Sequence, residues 1–124
     1  MSKDFCILIV EDDEDNTELL NEFLQSLDYK TEHAVNGLEA VEMVKNNNAI
    51  DLVLMDIRMP LMNGNEAFEE IRKINPDLKV IAQTAYAMEG DENLYRKKGF
   101  DDYISKPFNL VALKELIKKF SGFS

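Results

Sequence analysis

The sequence has little cysteine and few basic residues, and each shortage excludes classes of function. Its 124 residues include one cysteine, Cys6, which excludes an intramolecular disulfide and a cysteine-based zinc site. Such cysteine usage is typical of a reducing cytoplasm, and we expect Cys6 to be a small buried hydrophobe. Lysine and arginine total 14 against 24 aspartates and glutamates, a formal net charge of −10. Since neutralising phosphates requires basic surface, nucleic acid and membranes are not expected as direct ligands.

Long apolar segments are missing as well. No run approaches the ~18 residues that a membrane-spanning helix needs. No basic-then-apolar leader opens the chain. The cytoplasmic localisation that we expect rests on the cysteine usage. Hydrophobic residues nevertheless make up 45% of the sequence, which is enough for a packed core. At roughly 150 residues per domain, the length predicts a single domain over residues 1–124.

Two kinds of hydrophobic pattern alternate along the chain. Short apolar or alternating runs predict five strands, and apolar residues at helical spacing predict five helices. The predicted strands are Phe5–Val10, Tyr29–Val35, Ile50–Met55, Leu78–Gln83 and Asp102–Ser105. The predicted helices are Asp15–Leu27, Gly37–Lys45, Asn63–Ile74, Asp91–Lys98 and Leu110–Phe120. Strands that alternate with helices are typical of an α/β protein with a parallel sheet.

The polarity of the strands predicts their order. The first, third and fourth are apolar throughout, as strands covered on both faces must be, whereas the second and fifth are more polar and suit the edges. Right-handed crossovers then give a doubly wound, flavodoxin-like sheet of order 2-1-3-4-5. Ligands bind such sheets where the winding direction reverses, at the carboxyl ends of the first and third strands. Those ends carry Glu11, Asp12 and Asp56.

Three carboxylates at one switch point indicate a cation site. Any one of them is more often a helix cap or loop residue, but three converging like charges repel one another unless a cation lies among them. Mg²⁺ prefers oxygen ligands and commonly holds a phosphate oxygen as well. The fourth strand leads to Thr84 and the fifth to Lys106, although each alone is more often a turn hydroxyl or a surface lysine. Together these groups suit phosphoryl transfer.

Four short motifs lie in order at the predicted strand ends. They are Ile7-Leu8-Ile9-Val10-Glu11-Asp12-Asp13, Leu54-Met55-Asp56-Ile57-Arg58-Met59-Pro60 with Asn63-Gly64, Thr84-Ala85, and Gly99-Phe100-Asp101-Asp102-Tyr103-Ile104-Ser105-Lys106-Pro107-Phe108. The set resembles the response-regulator receiver domain of two-component signalling, over the whole chain. Glu11 stands where many members have aspartate. At this glutamate and at the stretch Gln83-Thr84-Ala85-Tyr86-Ala87, the sequence resembles the receiver domains of hybrid histidine kinases, which act in phosphorelays.

The resemblance implies a metal site and an acceptor. Asp56 would be the residue that becomes an aspartyl phosphate. Asp12 would bind Mg²⁺ directly, Glu11 would bind it through water or assist, and the backbone carbonyl of Arg58 would be a further ligand. Receivers catalyse only their own phosphorylation and dephosphorylation, so the resemblance implies no other enzyme activity.

The same resemblance implies residues that switch conformation and residues that set the rate of dephosphorylation. Thr84 would hydrogen-bond the phosphoryl oxygens, Lys106 would pair with them, and the ring of Tyr103 would turn inward when Thr84 moves. Arg58 and Tyr86 match the two positions that tune self-dephosphorylation in the family. The predicted fourth helix, fifth strand and fifth helix would form the output face that binds a downstream protein.

The phosphodonor is expected to be another protein. The only histidine, His33, lies in the polar second strand, and the pattern predicts an edge-strand surface residue away from the acidic cluster. A histidine kinase or a histidine phosphotransfer protein would therefore supply the phosphoryl group.

Three alternatives remain open on the sequence alone. A flavodoxin-like electron carrier would need a glycine- and hydroxyl-rich loop after the first strand, where this chain has five acidic residues, Glu11 to Asp15. An aspartyl phosphatase would need a second acid two residues after Asp56, where Arg58 stands. A degenerate receiver that binds partners without phosphorylation would not need the full set of site residues.

Overall fold

The computed structural model describes residues 5–57, 64–84, 99–105 and 109–122 of the chain. The strands are β1 (Cys6–Val10), β2 (Lys30–Ala34), β3 (Ile50–Asp56), β4 (Lys79–Thr84) and β5 (Asp102–Ser105). The helices are α1 (Glu14–Ser26), α2 (Gly37–Asn46), α3 (Gly64–Ile74) and the C-terminal helix (Leu110–Ser121). None of these helices is both long and apolar enough to cross a membrane. The predicted helix Asp91–Lys98 lies outside the described residues.

The strands form one parallel sheet in the order β2-β1-β3-β4-β5. The prediction of a doubly wound α/β sheet is therefore confirmed. Every residue of β1 is buried, whereas only Ala34 is buried in β2, which explains why β1 lies inside the sheet and β2 at its edge. The winding direction reverses between β1 and β3, so their carboxyl ends flank a crevice.

Each face of the sheet has its own apolar core. Alternate residues of β1 point to opposite faces, as the pleat of a strand requires. Leu8 and Val10 pack in the cluster that includes α2 and α3 residues such as Ala40 and Phe68. On the other face, the buried side chains of the sheet pack against α1 and the C-terminal helix, in a cluster comprising Ile7, Ile9, Leu20, Leu24, Tyr29, Leu52, Leu54, Ile81, Ile104, Leu113 and Ile117. The two layers hold the strand ends in fixed positions.

Helix α1 begins one residue earlier than expected, because Asp13 caps it. The Asp13 carboxylate accepts a hydrogen bond from the backbone N–H of Asp15 at 3.0 Å, which satisfies one of the donors at the helix start. The connection between β1 and α1 is therefore short and consists of Glu11, Asp12 and Asp13. This short connection keeps two acidic side chains next to the end of β1.

Candidate functional site

Glu11 is fixed at the carboxyl end of β1 by contacts with the edge strand. It is buried, with 1% of its surface exposed. Its backbone N–H donates to the carbonyl oxygen of Ala34 at 3.0 Å, and Nε2 of His33 lies 2.9 Å from the Glu11 carbonyl oxygen. Both partners belong to β2, so the backbone of Glu11 continues the sheet just past the last residue of β1.

The side chain of Glu11 is oriented by α1. Nδ2 of Asn16 donates to Oε1 of Glu11 at 3.3 Å. Asn16 lies in the first turn of this helix, and the position of that turn is set by the Asp13 cap. The helix start therefore holds a buried carboxylate in place at the crevice.

Asp56 is the last residue of β3 and is 4% exposed. The backbone beside it is held on two sides: Ile57 N–H donates to the carbonyl oxygen of Gln83 at 3.1 Å, and Gly64 N–H donates to the carbonyl oxygen of Ile57 at 3.0 Å. A Cβ at Gly64 would lie 2.7 Å from Cα of Ile57 and would also meet the carbonyl oxygen of Asp56. Only glycine lets α3 begin this close to the end of β3.

Glu11, Asp12 and Asp56 form an acidic cluster at the β1/β3 switch point. Each offers one carboxylate oxygen, and these oxygens lie within 4.8 Å of one another. Glu11 and Asp56 are buried and Asp12 is exposed, so the cluster has a fixed inner side and opens to solvent. Three hard anionic oxygen donors, open to water on one side, fit the ligand preferences of Mg²⁺.

The structure brings together three of the four predicted metal ligands. The fourth, Arg58, lies outside the described residues, as do Lys106 and Tyr86. The backbone of Thr84 ends β4 and pairs with Ser105 of β5, and β4 is the neighbour of β3 in the sheet. Tyr103 in β5 is half-buried and packs against the cluster of α2 and α3.

The interpretation of His33 as a surface residue away from the acidic cluster is wrong. The residue does lie on the edge strand, but it is half-buried. Its Nε2 contacts the carbonyl oxygen of Glu11 and lies 3.2 Å from Oγ1 of Thr17 in α1. The register between β1 and β2 explains the error. It puts His33 opposite Ile9, one residue before the end of β1, where its ring reaches the start of α1.

Three residues of this region have no role in the expectations from sequence. Asn16 orients the Glu11 side chain, Gly64 permits the close approach of α3, and Gln83 accepts from the backbone after Asp56. Gly64 could be found from the sequence, since Asn63-Gly64 follows the third predicted strand at the start of a predicted helix. Asn16 and Gln83 could not be found in this way, because their contacts depend on how α1 and β4 lie against the neighbouring strands.

Comparison with protein families gives one consistent result. A model of the response regulator receiver domain matches residues 7–118. Among curated proteins, the polar-differentiation response regulator DivK of Brucella anthropi is 37% identical over 118 residues, covering 94% of this chain and 95% of that protein. The similarity thus spans both proteins nearly from end to end.

The fold of this chain is also similar to solved structures of receiver domains. The receiver domain of the sensor histidine kinase PA1611 from Pseudomonas aeruginosa, with a magnesium ion coordinated in its active site cleft, is 32% identical with a TM-score of 0.85, covering 96% of this chain and 98% of that one. The receiver domain of Ssk1 from Saccharomyces cerevisiae, solved with the histidine phosphotransfer protein Ypd1, is 30% identical with a TM-score of 0.85, covering 95% and 89%.

Proposed function

Since the chain belongs to the response regulator receiver domain family, we propose that it is a signalling switch in which Asp56 accepts a phosphoryl group from a phosphohistidine. The observation that carries the proposal is the acidic cluster, which gathers three carboxylate oxygens where the sheet reverses its winding. Among the three acids, Asp56 is the one that ends a strand, and the backbone of the next residue, Ile57, is held by β4 and by the start of α3.

Mg²⁺ is the proposed cofactor, held by Glu11, Asp12 and Asp56 together with the backbone carbonyl of Arg58. When bound, the ion neutralises charge on the carboxylates and on an incoming phosphoryl group. The all-oxygen donor set supports this assignment, as does the magnesium ion in the cleft of the PA1611 receiver. The exposure of Asp12 leaves one side of the cluster open to the water molecules that Mg²⁺ retains.

In the transfer step, a carboxylate oxygen of Asp56 attacks the phosphorus atom of the donor. The new O–P bond forms as the N–P bond breaks, and the bonding pair returns to the imidazole nitrogen of the donor histidine. Catalysis of such a step is largely positioning, and the chain supplies it through the hydrogen bonds from Ile57 to Gln83 and from Gly64 to Ile57. Asn16 and His33 hold Glu11 in the same manner from α1 and β2.

Thr84 and Lys106 are proposed to bind the transferred phosphoryl group. Thr84 ends β4, and Lys106 follows the last residue of β5, which pairs with Thr84. Because the carboxyl ends of parallel strands share one edge of a sheet, we expect both residues near the point where Asp56 ends β3. Tyr103, half-buried on β5, is the proposed switch residue that reports the state of Thr84 to a downstream protein. The output face would then comprise the segment Asp91–Lys98, β5 and the C-terminal helix.

A histidine kinase or a histidine phosphotransfer protein is the proposed donor. The Ssk1 receiver, solved together with Ypd1, supports a donor of this class. The ring of His33 already contacts Glu11 and Thr17, which supports a structural role for the only histidine of the chain. The proposed activity is confined to phosphorylation and dephosphorylation of the protein itself.

Intact-mass measurement after treatment with acetyl phosphate and Mg²⁺ tests the proposal. We expect one added phosphoryl group on the wild-type protein and none on Asp56→Asn. Asp77→Asn is a matched control, since Asp77 is exposed in the turn before β4, at the opposite end of the sheet, and should be labelled like wild type. Equal labelling of Asp56→Asn and wild type would overturn the assignment of Asp56.

A further inference from the structure

Gln83 is a buried amide whose hydrogen-bonding capacity is unused. Its side chain is 0% exposed. Over the part of the chain that the structure describes, neither Nε2 nor Oε1 has a hydrogen-bond partner. A buried amide in this condition costs stability, because it gives up its hydrogen bonds to water and gains none in return. Native structures contain few such groups, and each needs a physical reason.

The side chain of Gln83 lies beside that of Asp56. The two residues are register partners on neighbouring parallel strands, which run about 4.8 Å apart. Two residues earlier in each strand, Leu54 and Ile81 are also partners, and both pack in the core beneath α1 and the C-terminal helix. Because side chains alternate along a strand, Asp56 and Gln83 share that same face.

The other neighbours of Gln83 on this face give no reason for an amide. Ile81 precedes it by two residues, and Ile104 is its partner on β5; both side chains are buried and apolar. Leucine would fill such a position without losing hydrogen bonds to water. The polar side chain of Gln83 therefore lowers the stability of the resting protein. Among its neighbours on this face, Asp56 is the residue that changes chemically in the proposed function.

We propose that Gln83 is a phosphoryl-binding residue: when Asp56 carries a phosphoryl group, the Nε2–H of Gln83 donates a hydrogen bond to an oxygen of the aspartyl phosphate. The inference rests on the proposed function, since it requires a phosphorylated Asp56. Phosphorylation adds anionic oxygen acceptors next to a side chain that has two N–H donors and three rotatable bonds. A hydrogen bond to an anionic oxygen is stronger than one between neutral groups.

This contact would couple phosphorylation to the stability of the domain. In the resting state Gln83 carries the cost of an unsatisfied buried amide, and in the phosphorylated state part of that cost disappears. The difference favours the phosphorylated state, because a modification shifts an equilibrium by as much as its contacts differ between the two states. Replacing the amide by an apolar side chain should therefore stabilise the resting protein and weaken the phosphorylated one.

Nuclear magnetic resonance of the wild-type protein provides the first arm of the test. The chain has two glutamines, Gln83 and the exposed Gln25, so two side-chain amide signals are compared. Beryllofluoride, a stand-in for a phosphoryl group on a carboxylate, is added with Mg²⁺, and Mg²⁺ alone serves as reference. We expect the Gln83 amide to shift on addition of beryllofluoride and the Gln25 amide to stay in place.

Variants provide the second arm. Gln83→Leu should unfold at a higher urea concentration than wild type in the resting state and bind beryllofluoride about tenfold more weakly, the size expected for one hydrogen bond to an anion. Gln25→Leu, the matched control on the exposed side of α1, should bind beryllofluoride like wild type. A role confined to packing would change the unfolding midpoint and leave beryllofluoride affinity unchanged.

The outcomes separate this inference from the proposed function. If wild-type protein binds no beryllofluoride and takes no phosphoryl group, the proposed function fails and this inference fails with it. If wild type binds beryllofluoride, the Gln83 amide does not shift and Gln83→Leu binds equally well, the inference alone is overturned. A shifted Gln83 amide together with weaker binding by Gln83→Leu supports it, and the amide shift decides the question even if the variant folds poorly.

Discussion

The two ends of the sheet differ in how their charged side chains are arranged. At the carboxyl ends of β1 and β3, the acidic cluster brings three like charges within 4.8 Å. At the opposite end, Arg72 of α3 forms an ion pair with Asp101 at 3.1 Å. Arg72 also donates to the backbone carbonyl oxygens of Pro76, Leu78 and Gly99. One end gathers three carboxylates at the mouth of the crevice, and at the other end a carboxylate is paired with the protein's own cations.

Asp101, the partner of Arg72, also has its carboxylate satisfied by several groups of the protein. Its Oδ2 accepts from the backbone N–H of Val80 at 2.8 Å, its own N–H donates to the Val80 carbonyl oxygen at 2.9 Å, and Nζ of Lys79 lies 3.8 Å from Oδ1. These contacts join α3, the start of β4 and the segment before β5. The charges that stabilise the fold through ion pairs and the carboxylates of the proposed metal site therefore lie at different ends of one sheet.

The largest effect on stability is expected from Arg72→Ala. The change removes an ion pair and three hydrogen bonds to backbone carbonyls, and Asp101 is left 21% exposed without its main partner. We expect a loss of about 2 kcal/mol in the free energy of unfolding, below the value for a fully buried pair because water reaches both side chains. Urea denaturation followed by circular dichroism measures it.

Lys73→Ala is the control for Arg72. Lys73 pairs with Glu70 on the exposed side of α3, and its loss should cost less than about 0.5 kcal/mol. If both variants lost the same free energy of unfolding, the contacts of Arg72 with Asp101 and the backbone carbonyls would contribute no more than an exposed ion pair.

The next largest effect is expected from Asp12→Ala, and it concerns ligand binding. Loss of one charged ligand should weaken Mg²⁺ binding at least tenfold, or about 1.4 kcal/mol, and more than a change at Glu11. The metal-free variant should be as stable as wild type or more so, because repulsion within the acidic cluster decreases. Calorimetric titration with Mg²⁺ and urea denaturation of the metal-free protein measure the two effects.

Asp13→Asn is the matched control for Asp12. Asparagine caps a helix as well as aspartate does, so this variant removes one neighbouring negative charge while keeping the start of α1. If Asp12→Ala binds Mg²⁺ like its parent, or if Asp13→Asn weakens binding as much, the metal is not held by the acidic cluster.

A smaller effect is expected on the lifetime of phosphorylated Asp56. The resemblance to receivers assigns its control to Arg58 and Tyr86, two residues after Asp56 and Thr84 respectively. Replacing either by alanine should speed hydrolysis by about 1 kcal/mol in the activation free energy, because water access changes while the charged groups remain. The decay of the phosphorylated protein is followed for each variant and for the pair. Unchanged decay in all three would assign the lifetime to other groups.

The smallest effect is expected at Cys6, in the buried strand β1. Burial raises the pKa of its thiol, assisted by the negative charges of Glu32 and Asp51. The unfolded chain therefore loses the thiol proton at a lower pH than the folded protein, and the stability due to a neutral Cys6 falls as the pH rises above about 8.5. Wild type should lose stability relative to Cys6→Ala over that range. A constant difference between the two from neutral to alkaline pH would contradict this.

Much of the fold and of the acidic cluster was predictable because it depends on local pattern. The apolar run that ends at Asp56 predicts a buried strand, and the polar residues Lys30 and Glu32 predict an edge for β2. Strand order then follows from the rules of parallel sheets, and it puts Glu11 and Asp12 beside Asp56 without further information.

Contacts that depend on the exact packing of distant elements were not predictable. The pairing of Arg72 with Asp101 joins residues 29 apart in sequence, and the contact of His33 with Glu11 depends on where α1 lies over β2. Gln83 ends a predicted strand as an ordinary polar residue, and only the packed structure shows that its amide is buried without a partner. Burial and pairing of polar groups arise from tertiary packing, which local pattern does not encode.

Phosphorylation of Asp56 is tested most directly by identifying the phosphorylated residue in the wild-type protein itself. Protein treated with acetyl phosphate and Mg²⁺ is reduced with borohydride, which converts an aspartyl phosphate into homoserine, and its peptides are analysed by mass spectrometry. We predict homoserine at position 56, and none when Mg²⁺ is removed before the phosphodonor is added. Homoserine at Asp12 or Asp13, or none at any position of a protein that has gained a phosphoryl group, would contradict this prediction.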